Sequence, residues 1–414
     1  RGPVASSPRG SAREVFRACL RLGLTSFGGP IAHIEYQRRA FVVDRHWLPE
    51  PDFAELVALC QTLPGPASSQ LTIAVGRLRA GWAGALAAWL GFTLPSAVLM
   101  TLIGLAAAGA HIPETGPVAG AIRGLEVAAV AIVANALLTM RSRLAPDAPR
   151  LLLAIAATIV LLILPAPIAQ LSVIGAGAIL GRLFLGRVVE PARSETFSEP
   201  AAVSARPRLD AGRRREAIAL AAAFVAVVAG SQLVASISGN PDLGLAAAFV
   251  RAGALVFGGG HVVLPLLNAG VVQPGWVTSD QFLAGYGAAQ AMPGPLFSFA
   301  AYLGAVAAVG PGGVAGAILG TIAIFLPGAL LVLAAVPVVG WLRGRPGVAS
   351  ALVGVNATVV GMLAAALINP VATSALTSPL AVVVAALAAT LLIVAKVPPL
   401  VVVAGCAAAM AAGG

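Results

Sequence analysis

The sequence predicts an all-α, polytopic membrane protein made of two inverted-topology repeats, with broken or re-entrant helices inside the bilayer. Three observations predict it. Of 414 residues, 59% are hydrophobic and only 10% charged, with a mean hydropathy of +0.94. A soluble domain carries about 25% charged residues. Apolar runs such as 81–110 and 217–234 are long enough to cross a hydrocarbon core, which takes about 20 residues. Finally, the second half of the chain echoes the first. The alternating strands of about ten residues that a membrane barrel needs are not found.

The net charge of +10 suggests nucleic acid at first sight. The basic residues lie between apolar runs, however, which is where the positive-inside rule puts them, in cytoplasmic loops. The expected surroundings are therefore a lipid bilayer, with no nucleic-acid partner. Cys19, Cys60 and Cys406 are far apart, odd in number and set in apolar stretches. They read as small buried hydrophobes rather than disulfides or metal ligands. Arg1 to Arg21 is basic without a short apolar core after it, so no cleavable leader is expected there.

The echo is ordered. Phe27-Gly28-Gly29-Pro30 answers Phe257-Gly258-Gly259-Gly260, and Arg21 answers Arg251, both 230 residues later. At an offset of 229, Trp47 answers Trp276, Phe53 answers Phe282, Gln61 answers Gln290, and Pro64-Gly65-Pro66 answers Pro293-Gly294-Pro295. Leu94-Pro95 answers Leu326-Pro327 at 232, and Glu126 answers Asn356 at 230. The chain thus divides into a membrane repeat at 1–189, an arginine-rich cytoplasmic linker at 190–216 and a second membrane repeat at 217–414. Loop charge gives their relative orientation. Arg38, Arg39 and Arg45 face a partner loop without Lys or Arg, and so do the turn at Arg77 and Arg79 and the loop at Arg141 to Arg150. The loop 111–117 reverses the pattern, since it is its partner that carries Arg343 and Arg345. All four pairs flip, so the halves are expected to be inverted, with the N-terminus cytoplasmic and the C-terminus external.

The same signs place the individual elements. The Arg38 loop and the Arg77 turn both read as cytoplasmic, so 53–76 must enter and leave on one side. It is too short for two crossings. A re-entrant hairpin with Pro64-Gly65-Pro66 at its tip is expected, and a matching one at 282–305. The Phe-Gly-Gly segments, near Arg17 to His33 and Phe249 to Leu266, are expected to be a second pair of broken or re-entrant elements. Such backbone is tolerated at depth only where protein buries it or water reaches it. Full spans are expected near 81–110, 117–140, 151–165, 167–187, 217–238, 312–340, 347–370, 379–395 and 398–412.

Broken helices expose backbone N–H groups at a positive dipole end, and glycine lets a ligand approach them, which makes an anion site. The candidate binding residues follow from this. They are Phe27, Gly28, Gly29, Gly258, Gly259 and Gly260 at the first pair of breaks, and Pro64, Gly65, Pro66, Pro293, Gly294 and Pro295 at the second. Ser68, Ser69 and Ser298 follow the breakers and can donate to an oxyanion; Gln61 and Gln290 precede them. Arg21 and Arg251 offer countercharge, or else snorkel to the interface. His33 and His261 could bind the anion, titrate or simply cap a broken helix. Glu126, in an apolar run, is the candidate for proton coupling, unless Arg123 pairs with it at a helix end. Glu35 is expected to pair with Arg38 or Arg39. No phosphate-binding loop is present and Lys396 is the only lysine, so no nucleotide, cofactor or metal is expected and the chain does not read as an enzyme.

Phe27-Gly-Gly-Pro30 with Ala32-His33-Ile34, then Trp47-Leu48, Gln61-x-Leu63-Pro-Gly-Pro66 and Phe92-x-Leu94-Pro-Ser96, resembles the chromate transporter family. Phe257-Gly-Gly-Gly-His261, Gly275-Trp-Val277, Gly285-Tyr-Gly287, Gln290-Ala-Met-Pro-Gly-Pro295 and Phe325-Leu-Pro327 look like the second domain of its long members. The resemblance covers about 13–400. It implies an inner-membrane secondary transporter that exports chromate and confers chromate resistance, with antiparallel halves and with the Gly-Gly, Pro-Gly-Pro and arginine positions carrying function. Chromate is a tetrahedral dianion close to sulfate in shape, so sulfate or another oxyanion is the alternative cargo. A proton or counter-anion would be the coupling partner, and a homodimer is compatible. The other classes weighed are a membrane enzyme acting on phosphorylated lipid, which lacks a clustered acid–base or metal set, and a non-transporting scaffold, which would have no use for broken helices.

Overall fold

The computed structural model describes residues 10–27, 29–109, 116–164, 167–185, 211–256, 263–338 and 346–413. They form helices joined by short turns, with no strand among them. The protein is an all-α polytopic membrane protein. Among the described residues, five helical stretches are long and apolar enough to span a bilayer: Ala67–Ala108, Ala119–Leu144, Ala211–Ser238, Gly313–Ala335 and Ser350–Ala375.

The first half runs α1 (Ala12–Thr25), α2 (Gly29–Arg38) with a π-turn at Arg39–Val43, α3 (Glu50–Thr62), α4 (Ala67–Gly109), α5 (Pro117–Leu144), α6 (Ala148–Ile163) and α7 (Pro167–Phe184). Peripheral α8 (Ala211–Ser238) follows. The second half runs α9 (Pro241–Leu255), α10 (Val263–Leu267) with a π-turn at Asn268–Val272, α11 (Ser279–Ala291), α12 (Phe299–Val306), α13 (Gly313–Ala335), α14 (Pro346–Ala366), α15 (Pro379–Ile393) and α16 (Pro399–Gly413). The two π-turns lie 229 residues apart.

Helix α4 is two helices in one. At Ala80 (φ −139°, ψ 25°) and Gly81 (φ 68°, ψ −152°) the chain leaves helical geometry, so 67–79 pairs back against the helix that follows. Gly76 and Gly84 let the two limbs touch backbone to backbone; a Cβ on either would run into the other's carbonyl. Gly304 and Gly316 make the same contact between α12 and α13. Helix α3, with 13 residues, rises only about 20 Å, short of a hydrocarbon core of about 30 Å. Glu35 takes Arg38 as its partner, with Nε and Nη2 each 2.9 Å from the carboxylate, and Arg38 also reaches Glu50 at 3.1 Å. That pairing holds the Glu35 carboxyl below the usual carboxylate range.

Several expected bounds shift. The expected linker ended at Glu216, but α8 already begins at Ala211, because Ala, Arg and Glu are strong helix formers. Helices α6, α15 and α16 have 15 or 16 residues and rise only about 22–24 Å. Proline at N1 or N2 starts each of them. The span expected to reach 370 breaks at Asn369 (φ −143°, ψ 117°), since a residue before proline is pushed out of the helical region.

The halves interlock. In the first half α5 packs on α15 and α16 of the second, while α14 packs on α6 and α7 of the first. Helix α4 also packs against α12 and α13. The main core runs through this interleaved region, with Phe249, Phe282, Tyr286, Phe297, Phe299 and Phe325 at its centre.

Candidate oxyanion site at the crossed helix breaks

Each break has a local cause. Helix α1 stops at Ser26, which is extended (φ −86°, ψ 94°). Helix α3 stops at extended Leu63, and Pro64-Gly65-Pro66 then turns through Gly65 at φ +122°, a conformation that favours glycine. In the second half Met292 is extended, Gly294 turns at φ +94°, and a 3-10 turn at Leu296–Ser298 leads into α12.

The tips dock reciprocally across the halves. The Gly65 N–H donates to the Val256 carbonyl at 2.7 Å, and the Gly294 N–H donates to the Ser26 carbonyl at 2.9 Å. Ser26 and Val256 are the residues just before the two Phe-Gly-Gly motifs. A Cβ on Gly65 would sit 3.0 Å from the Gly328 Cα, and one on Gly294 would sit 2.9 Å from the Ser96 Oγ. Ser96 and Gly328 each follow the proline inside a long helix, Pro95 in α4 and Pro327 in α13.

Around the tips lies a polar cluster in an otherwise apolar interior. Ser26, His33, Gln37, Ser68, Ser69, Gln70, Thr72, Thr93, Ser96 and Ser298 are all buried, none more than 4% exposed. His33 Nε2 lies 3.1 Å from the Ser26 carbonyl and Nδ1 lies 3.4 Å from Ser68 Oγ. A carbonyl only accepts, so Nε2 carries a proton and donates to it, while Nδ1 and the Ser68 hydroxyl share the second contact. The ring also stands edge-on to Phe92, with centroids 5.6 Å apart. Gln37 Nε2 and Thr72 Oγ1 both donate to the Ser68 carbonyl, at 2.9 and 2.6 Å. Gln70 Nε2 donates to Pro64 at 2.8 Å and to Gly328 at 3.1 Å, pinning the first tip to α13. The hydroxyls of Ser96 and Ser298 share a hydrogen bond of 2.7 Å across the halves.

Three buried hydroxyls have no partner among the described residues: Ser26 Oγ, Ser69 Oγ and Thr93 Oγ1. The side-chain oxygens of Gln37 and Gln70 are also unpartnered. Each such group costs about 1–3 kcal/mol in lost hydration, which calls for a reason. Hydroxyls can donate to an anion; the amide oxygens accept, and suit a hydroxyl or water. Ser68 and Ser69 stand in the first turn of α4, whose dipole presents partial positive charge there.

Of the residues singled out from sequence, His33, Gly65, Pro66, Ser68, Ser69, Gly294, Pro295 and Ser298 are buried at this crossing, with Pro64 and Pro293 half-buried beside them. Gly29 begins α2, and Phe27 is 40% exposed. Gln61 is exposed, and Gln290 is half-buried and hydrogen-bonds Tyr286. Arg21 is exposed on α1. Arg251 is half-buried on α9, on the side of Gly270. Neither guanidinium forms an ion pair among the described residues. Glu126 is 6% exposed on α5, and Arg123 beside it is exposed. Gly28, Gly258, Gly259, Gly260 and His261 lie outside the described residues. Sequence reasoning missed Ser26, Gln37, Gln70, Thr72, Thr93 and Ser96. One signal was available for most of them: they are polar residues within four positions of a break, of His33 or of Pro95.

The family model described as Chromate transporter matches residues 13–182 and 243–411, one stretch in each half. The second stretch begins 230 residues after the first, the offset of the Phe-Gly-Gly motifs. A chromate transport protein of Pseudomonas aeruginosa is 30% identical over 325 residues, covering 78% of this chain and 72% of the relative. A probable chromate transport protein of Synechococcus elongatus is 27% identical, covering 87% of this chain and 85% of its own. A chromate transport protein of Cupriavidus metallidurans is 26% identical, with 92% and 88% covered. No solved structure matches. These relatives are named as transport proteins, in keeping with a chain that carries no enzyme signature. With matched stretches in both halves and motifs that meet at one buried crossing, this chain belongs to the chromate transporter family.

Proposed function

We propose that this protein is a secondary active transporter that exports chromate across the inner membrane and thereby confers chromate resistance. The observation that carries the reading is the reciprocal docking of the two Pro-Gly-Pro tips beside three unpartnered buried hydroxyls. A tetrahedral dianion needs several short O–H or N–H donors, and charge-assisted hydrogen bonds of this kind are about twice as strong as neutral ones. Ser69, Ser26 and Thr93 donate, and the α4 N-terminus supplies partial charge. Arg21 and Arg251 supply countercharge along the path rather than inside the closed cluster. Glu126 is the candidate for coupling to protons.

In this reading the two halves are inverted repeats, with the N-terminus cytoplasmic and the C-terminus external. Crossed backbone contacts give alternating access a mechanical basis. Exchanging which side is open requires Gly65–Val256 and Gly294–Ser26 to shift against each other, one from each half. Sulfate fits the same donors, and is the rival cargo.

The deciding test is chromate flux in proteoliposomes, with sulfate as competitor and a proton gradient imposed or collapsed. Saturable chromate flux that follows the gradient is expected. Sulfate flux without chromate flux would overturn the cargo, and no flux of either would overturn transport. Topology is tested with single cysteines at Ala54 and Leu78, both exposed, the latter at 59%. An impermeant thiol reagent should label both from one side; labelling from opposite sides would remove the re-entrant hairpin.

A further inference from the structure

A second site lies at the arginine-rich kink of α4. The kink at Ala80 and Gly81 opens a cavity of about 620 Å³ lined by Arg77, Arg79, Arg213 and Glu216 among others. Its charges are arranged in order. Arg77 pairs with Glu216 at 2.6 Å, tying the first half to the foot of α8. Arg79 pairs with Glu14 at 3.3 Å. Arg213 forms no ion pair among the described residues, and Arg214 and Arg215 follow it on the same helix. The cavity is therefore net positive, and two of its arginines stack on indoles. The Arg77 guanidinium stacks 4.6 Å from the Trp82 ring, and the Arg79 guanidinium 5.4 Å from that of Trp47.

Directly beside it runs a groove of about 320 Å³ between α4 and α13, lined wholly by apolar side chains such as Trp82, Trp89, Phe325 and Ala329. Leu333 lines both spaces. One space is cationic, the other is a purely apolar trough, and Leu333 is a wall of each. A free oxyanion has no use for the trough, and an apolar molecule has none for the arginines.

We propose that this is a specific binding site for one anionic diacyl phospholipid, with its headgroup phosphate among Arg77 and Arg213 and an acyl chain along the α4–α13 groove. The groove is formed by one helix from each half. A lipid seated there would bridge the halves and grip the kinked limb that ends in Ser68 and Ser69. The site is independent of which oxyanion the protein carries.

Native mass spectrometry of the full chain, released from detergent, tests this with dioleoyl phosphatidylglycerol against dioleoyl phosphatidylcholine. Phosphatidylglycerol should be retained in preference, as one tightly held copy. Arg213→Gln, at an exposed position, should weaken it about fivefold, the contribution of one juxtamembrane arginine. Ala329→Trp, which fills the groove, should weaken it further, since each buried methylene contributes about fourfold in affinity. Millimolar inorganic phosphate or chromate should not displace the lipid. Both variants should keep the helical circular-dichroism spectrum and monodisperse elution of the unmodified protein. Equal retention of the two lipids would overturn the proposal. So would displacement by phosphate or chromate with Ala329→Trp silent, which would make the cavity a vestibule for free anions.

Discussion

The first-half and second-half breaks share a backbone plan and differ in chemistry. Both have a π-turn, a Pro-Gly-Pro tip, a glycine-to-glycine hairpin contact and a proline inside the following long helix. Yet where the first half places Ser26, the second places Val256. His33 answers Val263, Gln37 answers a leucine, Ser68 answers Phe297, Gln70 answers Phe299, Thr72 answers Ala301 and Thr93 answers Phe325. All of these counterparts are buried. Ser69 and Ser298 alone keep a hydroxyl on both sides of this comparison. Matching backbone breaks meet at the crossing, and among the described residues the side chains of the first half supply most of its polarity, with Ser298 added from the second. The second half is the apolar wall that keeps water from those hydroxyls, which strengthens each of their hydrogen bonds.

Breaking the shared backbone plan should have the largest effect. Gly65→Val and Gly294→Val place a branched side chain at positive φ and against the opposite half. Strain alone costs about 1–3 kcal/mol at each site, and the tip can no longer dock, so chromate flux should vanish. Gly116→Ala provides the control. Its φ is +94° but nothing lies within 4 Å of the added Cβ, so stability should fall while flux per folded molecule persists. Equal loss of flux in both would reduce the tips to ordinary turns.

The chemical difference between the halves is sharpened by the one polar pair they share. Ser69→Ala removes an unpartnered hydroxyl; Ser298→Ala removes one already bonded to Ser96. A hydrogen bond to a charged group is worth about 1.5–3 kcal/mol, so Ser69→Ala should raise the chromate KM by tenfold or more. Ser298→Ala should change it by about threefold at most. The reverse order would move the anion to the second half.

The smallest effect belongs outside the crossing. Asp147 caps α6 by accepting from the Arg150 N–H at 3.0 Å. Partial burial works to raise its carboxyl, but hydrogen bonds from Arg150 outweigh it and hold the carboxyl below its usual value. A depressed acid contributes stability above its unfolded pKa and loses it as pH falls through its folded one. Asp147→Ala should thus cost about 1 kcal/mol at neutral pH, less in strong acid, and leave transport intact. Thermal melts at the two pH values read this directly.

Much of the fold was legible in the sequence, because its signals are local. Proline and glycine mark the breaks, apolar runs mark the long helices, and the repeat gives their correspondence. What was not legible depends on tertiary neighbours. Nothing in the composition of α5 says that it packs on the other half's last two helices. A lone Ser26 in an apolar run has no tertiary address until Gly294 donates to its carbonyl. Arg21 and Arg251 stood out by cost alone, and charge that is costly in an apolar segment can be relieved at its edge as well as by a ligand.

Equilibrium binding of chromate to the purified protein tests the central claim most directly, since it separates the site from coupling and direction. Isothermal titration should give one saturable chromate site in the unmodified chain, weakened at least tenfold by Ser69→Ala combined with Thr93→Val and little changed by Ser298→Ala. Unaltered affinity in the Ser69/Thr93 double variant would contradict the account and place the anion away from the crossed breaks.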